Sequence, residues 1–78
     1  MIASTLPPTV AVDGAAIRSR RIARGVSLGN FAAAVDMPPQ YLSHVERGVR
    51  ARVPLPVFRR IVRALGLHSG RTIRVGTP

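Results

Sequence analysis

Seventy-eight residues with seven prolines, seven glycines and no cysteine make one small domain whose core is held by packing alone, which excludes disulfide staples and thiolate metal sites. Twelve arginines, no lysine and only three acids, Asp13, Asp36 and Glu46, give a formal charge of +9, which calls for a polyanionic partner. His44 and His68 are too few and too far apart for a zinc cluster, so neither a metal nor a cofactor is expected.

The apolar stretches fall well short of the roughly 20 residues of a membrane span. Residues 1–12 lack the positive start of a signal peptide and carry Pro7 and Pro8. The expectation is a soluble intracellular protein with no membrane association. Those first twelve residues, with Ser4, Thr5 and Thr9 beside the prolines, read as a flexible or extended arm in which residues 10–12 can form a short strand.

From Gly14 the pattern changes. Ile17, Arg18, Arg21, Ile22 and Arg24 set an apolar stripe beside a basic one at helical spacing, until Gly25 stops the helix. Ser27 is suited to cap a second helix, residues 27–35, because its hydroxyl can accept from a free N–H of the first turn, and Phe31, Ala32 and Val35 then share one face. Asp36 and Met37 end it. A residue before proline is driven out of the α region, which suits Pro38 as the next cap, while Pro39 at the first helical position loses only an N–H that has no helical partner.

The third helix, residues 39–47, keeps Leu42 and Val45 on one face and stops at Gly48, with Gln40, Tyr41, His44 and Arg47 on the other. A basic loop, residues 49–54, carries Arg50 and Arg52. Val57, Phe58, Ile61, Val62 and Leu65 then repeat with helical period up to Gly66, a fourth helix. In the tail, residues 68–78, the alternating run 72–75 is β-prone. It can pair across a two-fold axis as a dimerisation arm, pair with residues 10–12 of the same chain, or fray.

Phe31, Leu42, Val45, Phe58, Ile61 and Leu65 are the expected core. Arg59, Arg60 and Arg63 lie opposite the apolar face of the fourth helix and read as a solvated face, whereas Arg18, Arg20 and Arg24 are open between solvation and contact with a phosphate chain. Two short helices joined by a few residues, with helices before and after, make an all-α domain containing a helix-turn-helix. The divisions are an arm over 1–12, the helical domain over 13–67 and a tail over 68–78.

At this point the residues resemble a known family. Ile17-Arg18-x-x-Arg21-x-x-x-Gly25-x-Ser27, then Phe31-Ala32, then Leu42-Ser43-x-x-Glu46-Arg47-Gly48, and finally Ala64-Leu65-Gly66 are similar to the Cro/CI-type (XRE) helix-turn-helix domain of phage repressors and small bacterial regulators, over about residues 17–67. The resemblance implies a compact, lambda-repressor-like bundle of four to five helices, with room for short strands at its ends. It also implies that the start of the third helix enters the major groove, which selects Pro39, Gln40, Tyr41 and His44 as base-reading residues. Ser43 and Arg47 then fall at the groove edge or on phosphate, and Arg50 and Arg52 on phosphate.

The chemistry of these side chains agrees with that placement. Gln40 can make a bidentate contact to adenine, Tyr41 offers a hydroxyl and a ring face for a thymine methyl, and His44 can donate to guanine or to phosphate. The resemblance further implies an ion pair between Arg21 and Glu46. Three departures from the family pattern matter, one of them a longer loop after Gly48 that bears on how Arg50 and Arg52 meet phosphate. Leu28, followed by Gly29, stands where a glutamine is common, so phosphate anchoring there falls to Ser27, Asn30 and backbone N–H groups. Asp36 stands where the turn commonly holds glycine, and Asp tolerates left-handed geometry better than most residues.

No histidine–carboxylate pair has reason to converge on Ser4, Ser19 or Ser69, so an enzyme is not expected. The expected function is a sequence-specific regulator of transcription that binds double-stranded DNA, a repressor of phage or bacterial origin in the cytoplasm, on the nucleoid. It should be a homodimer at least on DNA, with no small-molecule ligand. Two other readings are a protein-interaction module, such as an antitoxin-like or phage accessory protein, and a nonspecific architectural DNA binder.

Overall fold

The computed structural model describes residues 8–75. Residues 1–7 of the expected arm and 76–78 of the tail lie outside the described residues. The elements run β1 (Thr9–Ala11), α1 (Gly14–Ala23), α2 (Leu28–Ala34), α3 (Pro39–Glu46), β2 (Arg52–Pro54), α4 (Leu55–Ala64) and a 3₁₀ turn (Gly70–Ile73). None of these helices is long and apolar enough to cross a membrane.

Local chemistry sets the helix ends. Asp13 caps α1, its carboxylate accepting from the Ala16 N–H at 3.1 Å, and Arg20 and Arg21 sit in the last turn, where the helix dipole favours positive charge. Ser27 caps α2 by accepting from the Asn30 N–H at 3.1 Å. The turn between α2 and α3 passes through Asp36 at φ 59°, the left-handed conformation the sequence assigned to it, and the Met37 N–H reaches back to the Ala32 carbonyl at 3.0 Å. Pro38 is extended at ψ 146°, Pro39 opens α3, and α3 closes at Gly48, whose φ of 79° turns the chain back on itself.

The apolar faces of the four helices meet in one core. Ile17, Ala32, Val35, Leu42, Val45 and Ile61 are fully buried at 0% exposure, and Phe31, Phe58 and Leu65 nearly so. The core also takes in Val10, Val12, Val53 and Ile73 from segments outside the helices.

Those segments depart in part from the sequence reading. Residues 52–54, read as loop, form β2 and pair antiparallel with β1, Val10 opposite Val53. The opposite edge of the first strand meets the tail: the Asp13 N–H donates to the Ile73 carbonyl at 2.7 Å, the Val75 N–H donates to the Ala11 carbonyl at 3.0 Å, and Val12 bridges Arg74. Of the three courses open to residues 72–75, this is pairing within the chain, yet the first half of the run, Thr72 and Ile73, ends a 3₁₀ turn and is not a strand. The turn breaks the alternation, so Ile73 enters the core at 0% exposure while Val75 stays 49% exposed.

Candidate nucleic-acid interface

The α2–turn–α3 unit packs on α1 through a close backbone approach and an ion pair. A Cβ on Gly14 would collide with the Val45 carbonyl oxygen, so the start of α1 can lie against the end of α3 only without a side chain there. Beside this approach, Arg21 Nε donates to Glu46 Oε2 at 2.7 Å, Nη2 donates to Oε1 at 3.0 Å, and Nη1 donates to the Val26 carbonyl at 2.8 Å. The hydrogen bond to Glu46 raises the Arg21 guanidinium above its ordinary value, burial opposes that shift, and the charge of Glu46 adds to it. The pair fixes the orientation of α3 relative to the bundle.

With α3 held in this way, its first turn faces outward. Pro39 and Gln40 are exposed, Ser43 and His44 are half-buried further along, and Arg47 is exposed at the C-cap. Ser27 and Asn30 lie at the start of α2, both exposed, with the Ser27 oxygen already accepting the Asn30 N–H.

Tyr41 stands apart from this set. It is half-buried and packs against the core, and the hydroxyl expected to face a base is buried without a hydrogen-bond partner among the described residues. The Arg50 guanidinium lies over the ring, 4.7 Å from its centroid. Burial pushes the phenol pKa up, and the charge of Arg50 pulls it partly back. Arg50 is further tied to α3 by its backbone N–H, which donates to the His44 carbonyl at 3.1 Å.

Arg52 points to a different neighbour. Its guanidinium donates to the Thr9 hydroxyl at 2.8 Å and to the Thr9 carbonyl at 3.0 Å, clasping β1. Neither the Tyr41–Arg50 stack nor the Arg52–Thr9 clasp was legible in the sequence, because both partners in each case meet only through tertiary folding. Among the described residues, Arg21–Glu46 is the one ion pair within 4 Å, so the positive charge of the other arginines is left without a carboxylate neighbour.

A short helix, a tight turn and a second helix with an exposed first turn, set among further helices, define a helix-turn-helix protein. The family model described as "Helix-turn-helix domain" matches residues 14–74, and the chain belongs to that family, in its Cro/CI (XRE) type. Similar solved structures include the clp gene regulator ClgR from Corynebacterium glutamicum, 41% identical over 69% of this chain, with a TM-score of 0.65. The match spans 56% of that ClgR chain, little more than half its length. The restriction-modification controller protein C.AhdI from Aeromonas hydrophila is 30% identical over 76% of this chain and 86% of its own, with a TM-score of 0.69. SinR, a master regulator for biofilm formation solved in complex with DNA, is 25% identical over 76% of this chain and 92% of its own, with a TM-score of 0.70. No curated protein sequence matches the chain at the same standard.

Proposed function

We propose that this protein is a regulator of transcription that binds double-stranded DNA sequence-specifically and places the first turn of α3 in the major groove. The observation that carries this reading is the exposed start of α3, Pro39 and Gln40, with half-buried His44 one turn on, on a helix braced by the Arg21–Glu46 fork. Gln40 is the residue whose side-chain amide can read one base pair bidentately. His44 donates to a guanine or a phosphate. Arg47, Arg50, Ser43 and the start of α2 at Ser27 and Asn30 supply phosphate contacts that fix register. Arg52 joins them on exchanging its Thr9 contacts for a phosphate.

One such module reads only a few base pairs, so two copies on half-sites about one helical turn apart supply the specificity a regulator needs. Repression by occupying a promoter, as a homodimer on bacterial or phage DNA in the cytoplasm, is the proposed outcome. Membership of a helix-turn-helix family whose solved neighbours are regulators supports a binding role over a catalytic one.

The test is selection of bound duplexes from a random library at near-physiological salt, followed by sequencing. Recovery of a short motif, above all an inverted repeat, supports the proposal. Binding without a motif points to an architectural protein that senses only phosphate charge. Absence of binding points to a protein partner.

A further inference from the structure

We propose that Tyr41 is a positioning residue for Arg50, its ring serving as the platform that holds the guanidinium in place for a DNA phosphate. This deepens, and rests on, the reading of α3 as the DNA-contacting helix.

Three observations carry it. The Tyr41 hydroxyl is buried and has no hydrogen-bond partner among the described residues, so it offers a base neither a donor nor an acceptor without leaving its place in the fold. The ring packs against the core on one side and receives the Arg50 guanidinium at 4.7 Å, within the range of a cation–π contact. The backbone of Arg50 is fixed by its hydrogen bond to the His44 carbonyl, so both ends of the residue are anchored to α3.

A long arginine side chain ordinarily loses rotamer freedom when it grips a phosphate. Here part of that ordering is complete before DNA arrives. A planar guanidinium stacked by its face still has all its N–H donors at the edge, free for phosphate oxygens. The stack therefore orients Arg50 without using up its hydrogen bonds, which an ion pair with a carboxylate would do.

The role separates cleanly from base reading in a double-variant cycle on duplex DNA. Tyr41→Phe keeps the ring and should leave affinity and base preference unchanged. Tyr41→Leu removes the π face and should weaken binding to every duplex by about two- to fivefold, the range of an exposed cation–π contact. Arg50→Ala should weaken binding to all sequences and flatten the log–log salt slope by about one. In the Arg50→Ala background, Tyr41→Leu should have no further effect. Arg50→Lys keeps the charge and should retain the slope while losing affinity.

The stack also has a readout free of DNA. Tyr41 is the chain's single tyrosine, so absorbance near 295 nm follows its ionisation alone, and Arg50→Ala should move that titration upward. A change of preference at one base position in Tyr41→Phe would overturn the proposal in favour of base reading. So would a Tyr41→Leu loss that persists in full without Arg50, or a phenol titration indifferent to Arg50. If the wild-type chain binds no duplex while the titration still responds to Arg50, the stack stands and the DNA reading falls, and with it the phosphate role of Arg50.

Discussion

Arg21 on α1 and Glu46 in the last turn of α3, 25 residues apart in sequence, face each other fork to fork at 2.7 and 3.0 Å with side chains 11% and 4% exposed. Burial makes the pair sensitive to loss of either member, because the survivor is left as an uncompensated charge. Arg21→Ala or Glu46→Gln should each cost about 3–5 kcal/mol in urea or thermal unfolding. In a domain whose whole stability is on the order of 5–15 kcal/mol, that is a large share. Replacing both by apolar residues of similar volume, Arg21→Met with Glu46→Leu, should recover much of the loss, short of the hydrogen bond the Val26 carbonyl forfeits. A double replacement as damaging as the sum of the singles would show that the pair is not acting as a unit.

Two glycines near helix starts should respond in opposite senses. At Gly14 a Cβ meets the Val45 carbonyl oxygen, so Gly14→Ala must push α1 from α3, at about 1–3 kcal/mol or more. Gly29 lies exposed in α2 with nothing within 4 Å of a Cβ, so Gly29→Ala should stabilise by about 0.4–1 kcal/mol through the unfolded state. Thermal melts of the two variants beside the wild type measure both signs.

Alkaline stability should carry the signature of Tyr41. Burial raises its phenol above the ordinary value of 10.0, so the folded state keeps the proton that the unfolded chain gives up. The contribution is therefore fully present below about pH 10 and is lost as pH rises from there through the folded value. Tyr41→Phe should flatten this part of the pH profile. It should also equal or exceed the wild type in stability below about pH 10, since it removes a buried hydroxyl that has no partner among the described residues.

The helical frame was legible because its signals are local. Ser27 caps, Pro38-Pro39 starts, Gly48 stops, and Leu42 with Val45 marks a buried face, all within a turn or two of chain. Of the sheet, the first strand was legible as residues 10–12, but its partner was not, because a three-residue strand exists only by virtue of its pairing. Val53 between Arg52 and Pro54 carries no periodic signal of its own, and only pairing with Val10 makes it a strand and buries it. In the tail the alternation of Ile73 and Val75 pointed to a longer strand, but Gly70 against the ring of Phe58 lets the chain tighten into a 3₁₀ turn first. At the start of α3 the outward placement of Pro39 and Gln40 was readable from the helical pattern. That Tyr41 turns its hydroxyl inward was not, since nothing local distinguishes a tyrosine that reads a base from one that supports an arginine.

Whether the outer face of the first turn of α3 reads base sequence is decided by a parallel duplex selection with the wild type and Gln40→Ala. The expected result is a motif for the wild type and the same motif for the variant except at one base pair per half-site, where preference relaxes by about 1–3 kcal/mol. An unchanged motif, or a uniform loss of affinity with every position still discriminated, would contradict it and move the reading surface elsewhere.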